Sequence, residues 1–204
     1  MSGEQELVRV GYDRIAKAYA AETQEGRTEA TYYRAFLARC VERLPANGSV
    51  LDLGCGAGIV AEVLAGRTRV LGIDLSSEQL HLASARVPGA LFAQADMTNL
   101  ELRDRSLDAV AAFWSIIHVP RHLHAELFVR IHRWMRPGGL FFGTLGSGDN
   151  PDERQSDFFG APMYWSHFDA ATNRELLSAA GFAIEESDVV EDMDERHLWV
   201  IATA

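Results

Sequence analysis

The 204-residue chain is 48% hydrophobic, enough to bury one substantial core and short for two, so a single domain spanning 1–204 is expected. Its formal charge of -10 at pH 7 opposes binding to nucleic acid, which depends on Lys and Arg neutralising phosphates. Two cysteines, Cys40 and Cys55, are too few for a disulfide framework; the start Met1-Ser2-Gly3-Glu4 has no signal-peptide character, and no run approaches the ~18 apolar residues of a membrane span. A cytoplasmic protein with no membrane or nucleic-acid partner is the expectation.

In chain order, Leu7–Ala21 and Thr31–Leu44 have helical patterning, and Pro45-Ala46-Asn47-Gly48 breaks the chain before a different regime begins. From Ser49 onward, short β-rich runs (Val50–Leu53, Val70–Ile73, Leu91–Ala95, Ala109–Phe113 and Leu140–Leu145) alternate with helical stretches near Ile59–Ala65, Glu78–Arg86 and His122–Met135. Such alternation predicts an α/β fold, a mostly parallel sheet with helices on both faces. The division expected is a helical cap over 1–48 and a core over 49–204, interrupted by a lid insertion at about 146–168. That insertion is unusually aromatic for a connection, Asp157-Phe158-Phe159-Gly160-Ala161-Pro162-Met163-Tyr164-Trp165-Ser166-His167-Phe168, and its length suits a binding loop or a lid packed on the core. A capped helix from Asp169 to Ala180 and two strands, Phe182–Val190 and His197–Ala202, complete the chain; the acidic residues from Glu185 to Glu195, Asp194 among them, read as a solvated face.

The chemistry concentrates at strand ends. Val50-Leu51-Asp52-Leu53-Gly54-Cys55-Gly56-Ala57-Gly58 runs an apolar strand into three alternating glycines, where a chain can turn sharply and let a ligand approach its backbone. The dinucleotide pattern G-x-G-x-x-G would need its third glycine at Ile59, which disfavours a nicotinamide cofactor. Asp74 ends the second strand twenty positions after Gly54, where a carboxylate either caps the Ser76-Ser77 helix start or accepts from ribose hydroxyls. Gln94-Ala95-Asp96-Met97 and Met135-Arg136-Pro137-Gly138-Gly139 follow at the next turns.

In this order the four motifs resemble those of class I S-adenosylmethionine-dependent methyltransferases, closely over residues 12 to 145. The resemblance implies a Rossmann-like seven-stranded sheet, last strand antiparallel, with an N-terminal helical lid and S-adenosylmethionine as cofactor. It assigns Asp52, Gly54 and Gly56, with Cys55, to the methionine end, Asp74 and the adjoining Leu75 to the ribose, Asp96 and Met97 to adenine, and Trp114 to the cofactor's surroundings. Tyr12-Asp13-Arg14-Ile15-Ala16-Lys17-Ala18-Tyr19 is similar to the Y-D-x-x-A-x-x-Y helix of small-molecule methyltransferases; a seven-residue spacing sets Tyr12 and Tyr19 on one helical face, as cofactor contacts or as plain packing.

For the acceptor, His118 in Phe113-Trp114-Ser115-Ile116-Ile117-His118-Val119-Pro120 stands after the fourth strand as a base or a hydrogen-bonding residue, with His167 the second candidate base. Tyr164 and Trp165 join His118 and His167 as expected substrate contacts. No base-binding N/D-P-P-Y/F motif occurs, and Pro120 keeps His118 and His122 from aligning on one helix, so neither DNA nor a metal is expected. Methyl transfer to O, N or C of a small molecule is the leading expectation; cyclisation of S-adenosylmethionine itself, or its binding without catalysis, are the alternatives.

Overall fold

A computed structural model describes residues 2–29, 31–192 and 195–204. Its elements are α1 (Gly3–Glu29), α2 (Thr31–Arg43), β1 (Ser49–Leu53), α3 (Ile59–Ala65), β2 (Arg69–Asp74), α4 (Ser77–Arg86), β3 (Leu91–Gln94), β4 (Leu107–Ala112), α5 (His124–Trp134), β5 (Met135–Gly146), β6 (Asn150–Phe158), β7 (Ala161–His167), α6 (Ala170–Ala179), β8 (Ala183–Asp192) and β9 (Glu195–Thr203). Seven strands form one sheet in the order β3-β2-β1-β4-β5-β9-β8. β1 to β5 pair in parallel, and β9 enters antiparallel between β5 and β8.

The order reverses at β1, which lies between β2 and β4, and the crevice outside the carboxyl ends of β1, β2 and β4 is where an open sheet offers room to a ligand. β1 and β4 are buried along nearly their whole length, as central parallel strands covered on both sides should be. One apolar layer sets Phe36, Leu37, Val60, Leu64, Phe142 and Trp199 on one face; Phe128, Ile131, Trp134, Phe141 and Leu177 fill the other. Leu127, Phe128, Ile131 and Trp134 recur at helical spacing along α5, which explains why that helix lies flat on the sheet.

Three differences from the sequence expectation have physical causes. The insertion at 146–168 is an antiparallel β6–β7 hairpin rather than a loop. β6, Asn-Pro-Asp-Glu-Arg-Gln-Ser-Asp-Phe, is polar and almost wholly exposed, so it has no apolar alternation to announce a strand. α1 is longer at both ends than its apolar stretch, its first turn carrying Glu4 and Glu6 beside the positive end of the helix dipole. The acidic run is partly structural: Glu185 and Glu186 pair with Arg43 and Arg39 of α2, and Asp192 accepts from the backbone N–H of Tyr33. Asp194, named with that run, lies outside the described residues. Among the described residues no helix is long and apolar enough to cross a membrane.

Candidate active site

A cavity of about 930 Å³, open to solvent, occupies the crevice beyond β1, β2 and β4. Twelve residues singled out in the sequence line it: Tyr12, Tyr19, Asp52, Gly54, Cys55, Gly56, Asp74, Leu75, Asp96, Met97, Trp114 and His118. The glycine turn explains much of its shape. Gly54, Gly56 and Gly58 have φ of 70°, 51° and 80°, a region that side-chain-bearing residues enter at a cost. At Gly54 space is also decisive, because a Cβ there would stand 2.3 Å from the Cβ of Ser115.

Asp74 is fixed from below. One carboxylate oxygen accepts from the Gly56 N–H at 2.9 Å, the other from the Ser76 N–H at 2.9 Å. Burial pushes its pKa up to about 6, against those two backbone donors, which pull it down; the neighbouring Asp13 carboxylate adds to the rise. Each oxygen keeps a lone pair for a further donor. Asp96 is more fully engaged, one oxygen accepting from Thr98 N–H, Thr98 O–H and Gln5 Nε2, the other from Asn99 Nδ2.

α1 forms the roof and is tied down at two places. Gln5 reaches Asp96 and Thr98, both at 2.9 Å. Asp13 accepts from Ser76 Oγ at 2.8 Å and from the Glu78 N–H, while Arg9 holds its other oxygen at 2.7 Å. Between these ties Tyr12 points down at His118, its O–H 2.9 Å from Nε2, while His118 Nδ1 lies 2.7 Å from the Tyr164 carbonyl. A carbonyl only accepts, so Nδ1 carries the proton and Nε2 accepts from Tyr12. Burial drives the His118 pKa down to about 4, and the ring is neutral near pH 7.

The remaining expected contacts stand behind the wall. Tyr164 contributes its carbonyl to His118, and its ring is buried against α1 beneath the Arg154 guanidinium. Trp165 packs on the His118 ring at 5.6 Å between centroids. The period of two along β7 sends these neighbours to opposite faces, so the two side chains do not converge on one ligand. His167 does not line the cavity: its ring is pressed over Gly146, and Nδ1 lies 2.8 Å from the Gly148 carbonyl. Its expected role as a second base therefore lacks the position for it. Trp114 holds a left-handed backbone, φ 49°, with its N–H donating to Thr144 Oγ at 2.7 Å, which is local strain at the cavity mouth.

Among the other lining residues, Gln5, Gln79 and Ser115 were given no role by the sequence. Gln5 stands seven residues before Tyr12, as Tyr12 stands seven before Tyr19, and that continued spacing was the available signal. Gln79 has the look of an N3 capping glutamine after Ser76, yet only its backbone N–H bonds the Ser76 Oγ, at 3.1 Å. Its side-chain amide is buried, lines the cavity and has no partner at either polar atom; the buried Ser115 Oγ is in the same condition.

A carboxylate at the end of β2, unpartnered amide and hydroxyl groups and a glycine turn free of side chains fit a ligand rich in hydroxyls and amines. Among the described residues no Lys or Arg lines the cavity, which would leave a pyrophosphate uncompensated. S-adenosylmethionine, with a ribose and a cationic sulfonium but no phosphate, fits this donor set.

Fold and cleft together define a Rossmann-like methyltransferase. A protein-family profile described as a methyltransferase domain matches residues 50–139. A probable S-adenosylmethionine-dependent methyltransferase of Mycolicibacterium smegmatis is 28% identical over 91% of this chain and 72% of its own length. Phosphoethanolamine N-methyltransferase 1 of Triticum aestivum is 31% identical over 78% of the chain, which spans only 32% of that enzyme. The solved DhpI–SAH complex superposes with a TM-score of 0.80 at 23% identity, covering 99% of this chain and 98% of DhpI, a likeness of fold. The profile match and these relatives support a class I S-adenosylmethionine-dependent methyltransferase.

Proposed function

We propose that this protein transfers a methyl group from S-adenosylmethionine to O, N or C of a small-molecule acceptor held under α1 and beside the turn after β4, with the β6–β7 hairpin packed behind them. The observation that carries the proposal is the Tyr12–His118 pair, which faces the same cavity as the Asp74 loop. When bound, the cofactor supplies an electrophilic methyl group on a sulfonium, and the acceptor's lone pair forms the new bond as the S–CH₃ electrons return to sulfur.

The protein's part is largely positioning, because an in-line displacement depends on holding two partners at close range. Asp74 would accept from the ribose hydroxyls, Asp96 from the adenine amine through its oxygen facing Asn99, and Gln79 and Ser115 would meet the remaining polar groups. Met97 and Leu75 supply apolar walls. A phenolic oxygen accepts as well as donates, so an acceptor O–H or N–H would donate to Tyr12 while Tyr12 donates to His118 Nε2. The proton then passes along two hydrogen bonds to the imidazole, whose Nδ1–H stays on the Tyr164 carbonyl. A histidine held near 4 is a weak base at rest, which suits a role in orienting Tyr12 until a positive charge leaves the site.

Calorimetric titration with S-adenosylmethionine and S-adenosylhomocysteine tests the reading. Micromolar binding is expected, weakened about 100-fold in Asp74→Ala, as the loss of charge-assisted hydrogen bonds to two hydroxyls implies. Wild-type protein that binds neither compound, or prefers NAD, would overturn it.

A further inference from the structure

We infer that the acceptor is an uncharged, ring-bearing molecule, and that the aromatic end of the cavity discriminates against acceptors bearing carboxylates, phosphates or ammonium groups. The inference rests on the methyltransferase reading above and deepens it. Its ground is the unequal distribution of charge along the cavity.

The carboxylates that line the cavity, Asp52, Asp74 and Asp96, stand on β1, at the end of β2 and just after β3, beside the glycine turn. The end beyond Ser115 is walled by Tyr12, Tyr19, Thr23, Phe113, Trp114 and His118, with no charged side chain of either sign among the described residues. Three described arginines are paired with acids: Arg9 with Glu6 and Asp13, Arg154 with Glu4, and Arg121 with Asp149. An ion buried here would lose its water and find no countercharge among the described lining residues, the situation in which burial is most costly.

What the wall offers instead is aromatic surface. Tyr12 meets Tyr19 edge-on at 5.2 Å, and Tyr19 meets Phe158 and Phe159 at 5.8 and 5.7 Å. Phe158 packs on Trp165 at 5.1 Å, and Trp165 on His118. The lining rings come from α1 and the turn after β4, and the hairpin rings pack behind them, so the aromatic character arises only in the assembled chamber. A planar ring gains edge and face contacts against such walls. The wheat relative's name carries a phosphate-bearing acceptor, and these walls have no described group to receive one.

The test uses the full chain in two stages. S-adenosylhomocysteine is titrated first; no binding at this stage would overturn both the methyltransferase reading and this one. Protein saturated with it is then titrated, by calorimetry and ligand-observed NMR, with para-hydroxybenzamide, para-hydroxybenzoate and para-hydroxybenzylamine, which share a ring and differ in charge, and with phosphoethanolamine. The benzamide is expected to bind about tenfold or more tightly than either charged analogue, and phosphoethanolamine not to register, because only the neutral ring avoids uncompensated burial. In Thr23→Arg, which sets a guanidinium at this end, affinity for the benzoate is expected to rise about tenfold. Benzoate or phosphoethanolamine binding as tightly as the benzamide, or no ring probe binding at millimolar concentration, would overturn this inference while leaving the first stage intact.

Discussion

The two ends of the cavity are built in opposite ways. The glycine-turn end comes from short local segments: Gly54 to Gly58 follow β1, Asp74 ends β2, and Asp96 and Met97 follow β3. Asp74 is fixed by the backbone of Gly56 and Ser76, and Asp96 takes three of its four hydrogen bonds from Thr98 and Asn99. The aromatic end joins Tyr12 and Tyr19 of α1 to His118, a hundred residues later, and to a hairpin later still. One end is local and preorganised, the other depends on tertiary assembly, and damage to each should therefore look different.

The largest effect should come from breaking the local end. Gly54→Ala adds a Cβ 2.3 Å from that of Ser115 at a residue with φ of 70°. Both strain and overlap count against it, a loss of about 3 kcal/mol or more in stability. Urea unfolding is expected to show that loss, and S-adenosylhomocysteine binding to disappear even where the variant remains folded. A variant with wild-type affinity would mean that the turn gives way easily, and the claim of a preorganised end would fall.

Acid should separate the ends by sign. His118, His124 and His197 are each pushed down to about 4 by burial, so between roughly pH 6.5 and 4 the unfolded chain binds more protons than the folded one. Stability contributed by these neutral rings is fully present above pH 6.5 and is lost as pH falls toward 4. Asp74, raised to about 6, works oppositely: the folded state holds its proton more tightly, a benefit gained below that pH and absent above it. Three groups outweigh one, and several kcal/mol of net acid destabilisation is expected between pH 7 and 4, read as falling Tm. A flat Tm across that window would contradict the buried, neutral histidines.

The sequence displayed these ends unequally for the same reason. Motifs that sit within nine residues of one strand end, such as Val50 to Gly58, carry their geometry in their spacing, and the resemblance drawn from them led to the seven-stranded sheet with its antiparallel last strand. The distant end offered residue types without a path between them. His167 looked as good a base as His118, because nothing in the chain's order tells that one ring meets Tyr12 and the other packs over Gly146. The hairpin stayed hidden behind a polar β6, and Gln79 behind a capping role that its backbone alone fulfils.

Ligand binding gives a second pH test, confined to the local end. If the ribose needs the Asp74 carboxylate ionised, affinity for S-adenosylhomocysteine should be level above pH 7 and fall by up to about tenfold per unit below pH 6, the slope of one proton taken up on release. In Asp74→Asn the same titration should be lower and flat in this range. A wild-type profile without the break near 6 would detach the cofactor's ribose from this residue.

The smallest effect tests whether the assembled end closes over the local one. Gln5 is 4% exposed and is the only described α1 side chain hydrogen-bonded to Asp96, which it reaches together with Thr98. Gln5→Ala removes those two bonds and the one its Oε1 accepts from the Ser2 N–H, but Asp96 keeps Thr98 and Asn99 as donors, so no carboxylate is orphaned and the cost should be about 1 kcal/mol. Asp13 still anchors α1 to Ser76. The helix should therefore loosen at its first turns while the fold persists. Stopped-flow release of S-adenosylhomocysteine is expected to quicken about fivefold, the kinetic equivalent of that energy, with little change in Tm. Release at the wild-type rate would mean that the cofactor leaves by a path α1 does not cover, and that the roof serves the aromatic chamber alone.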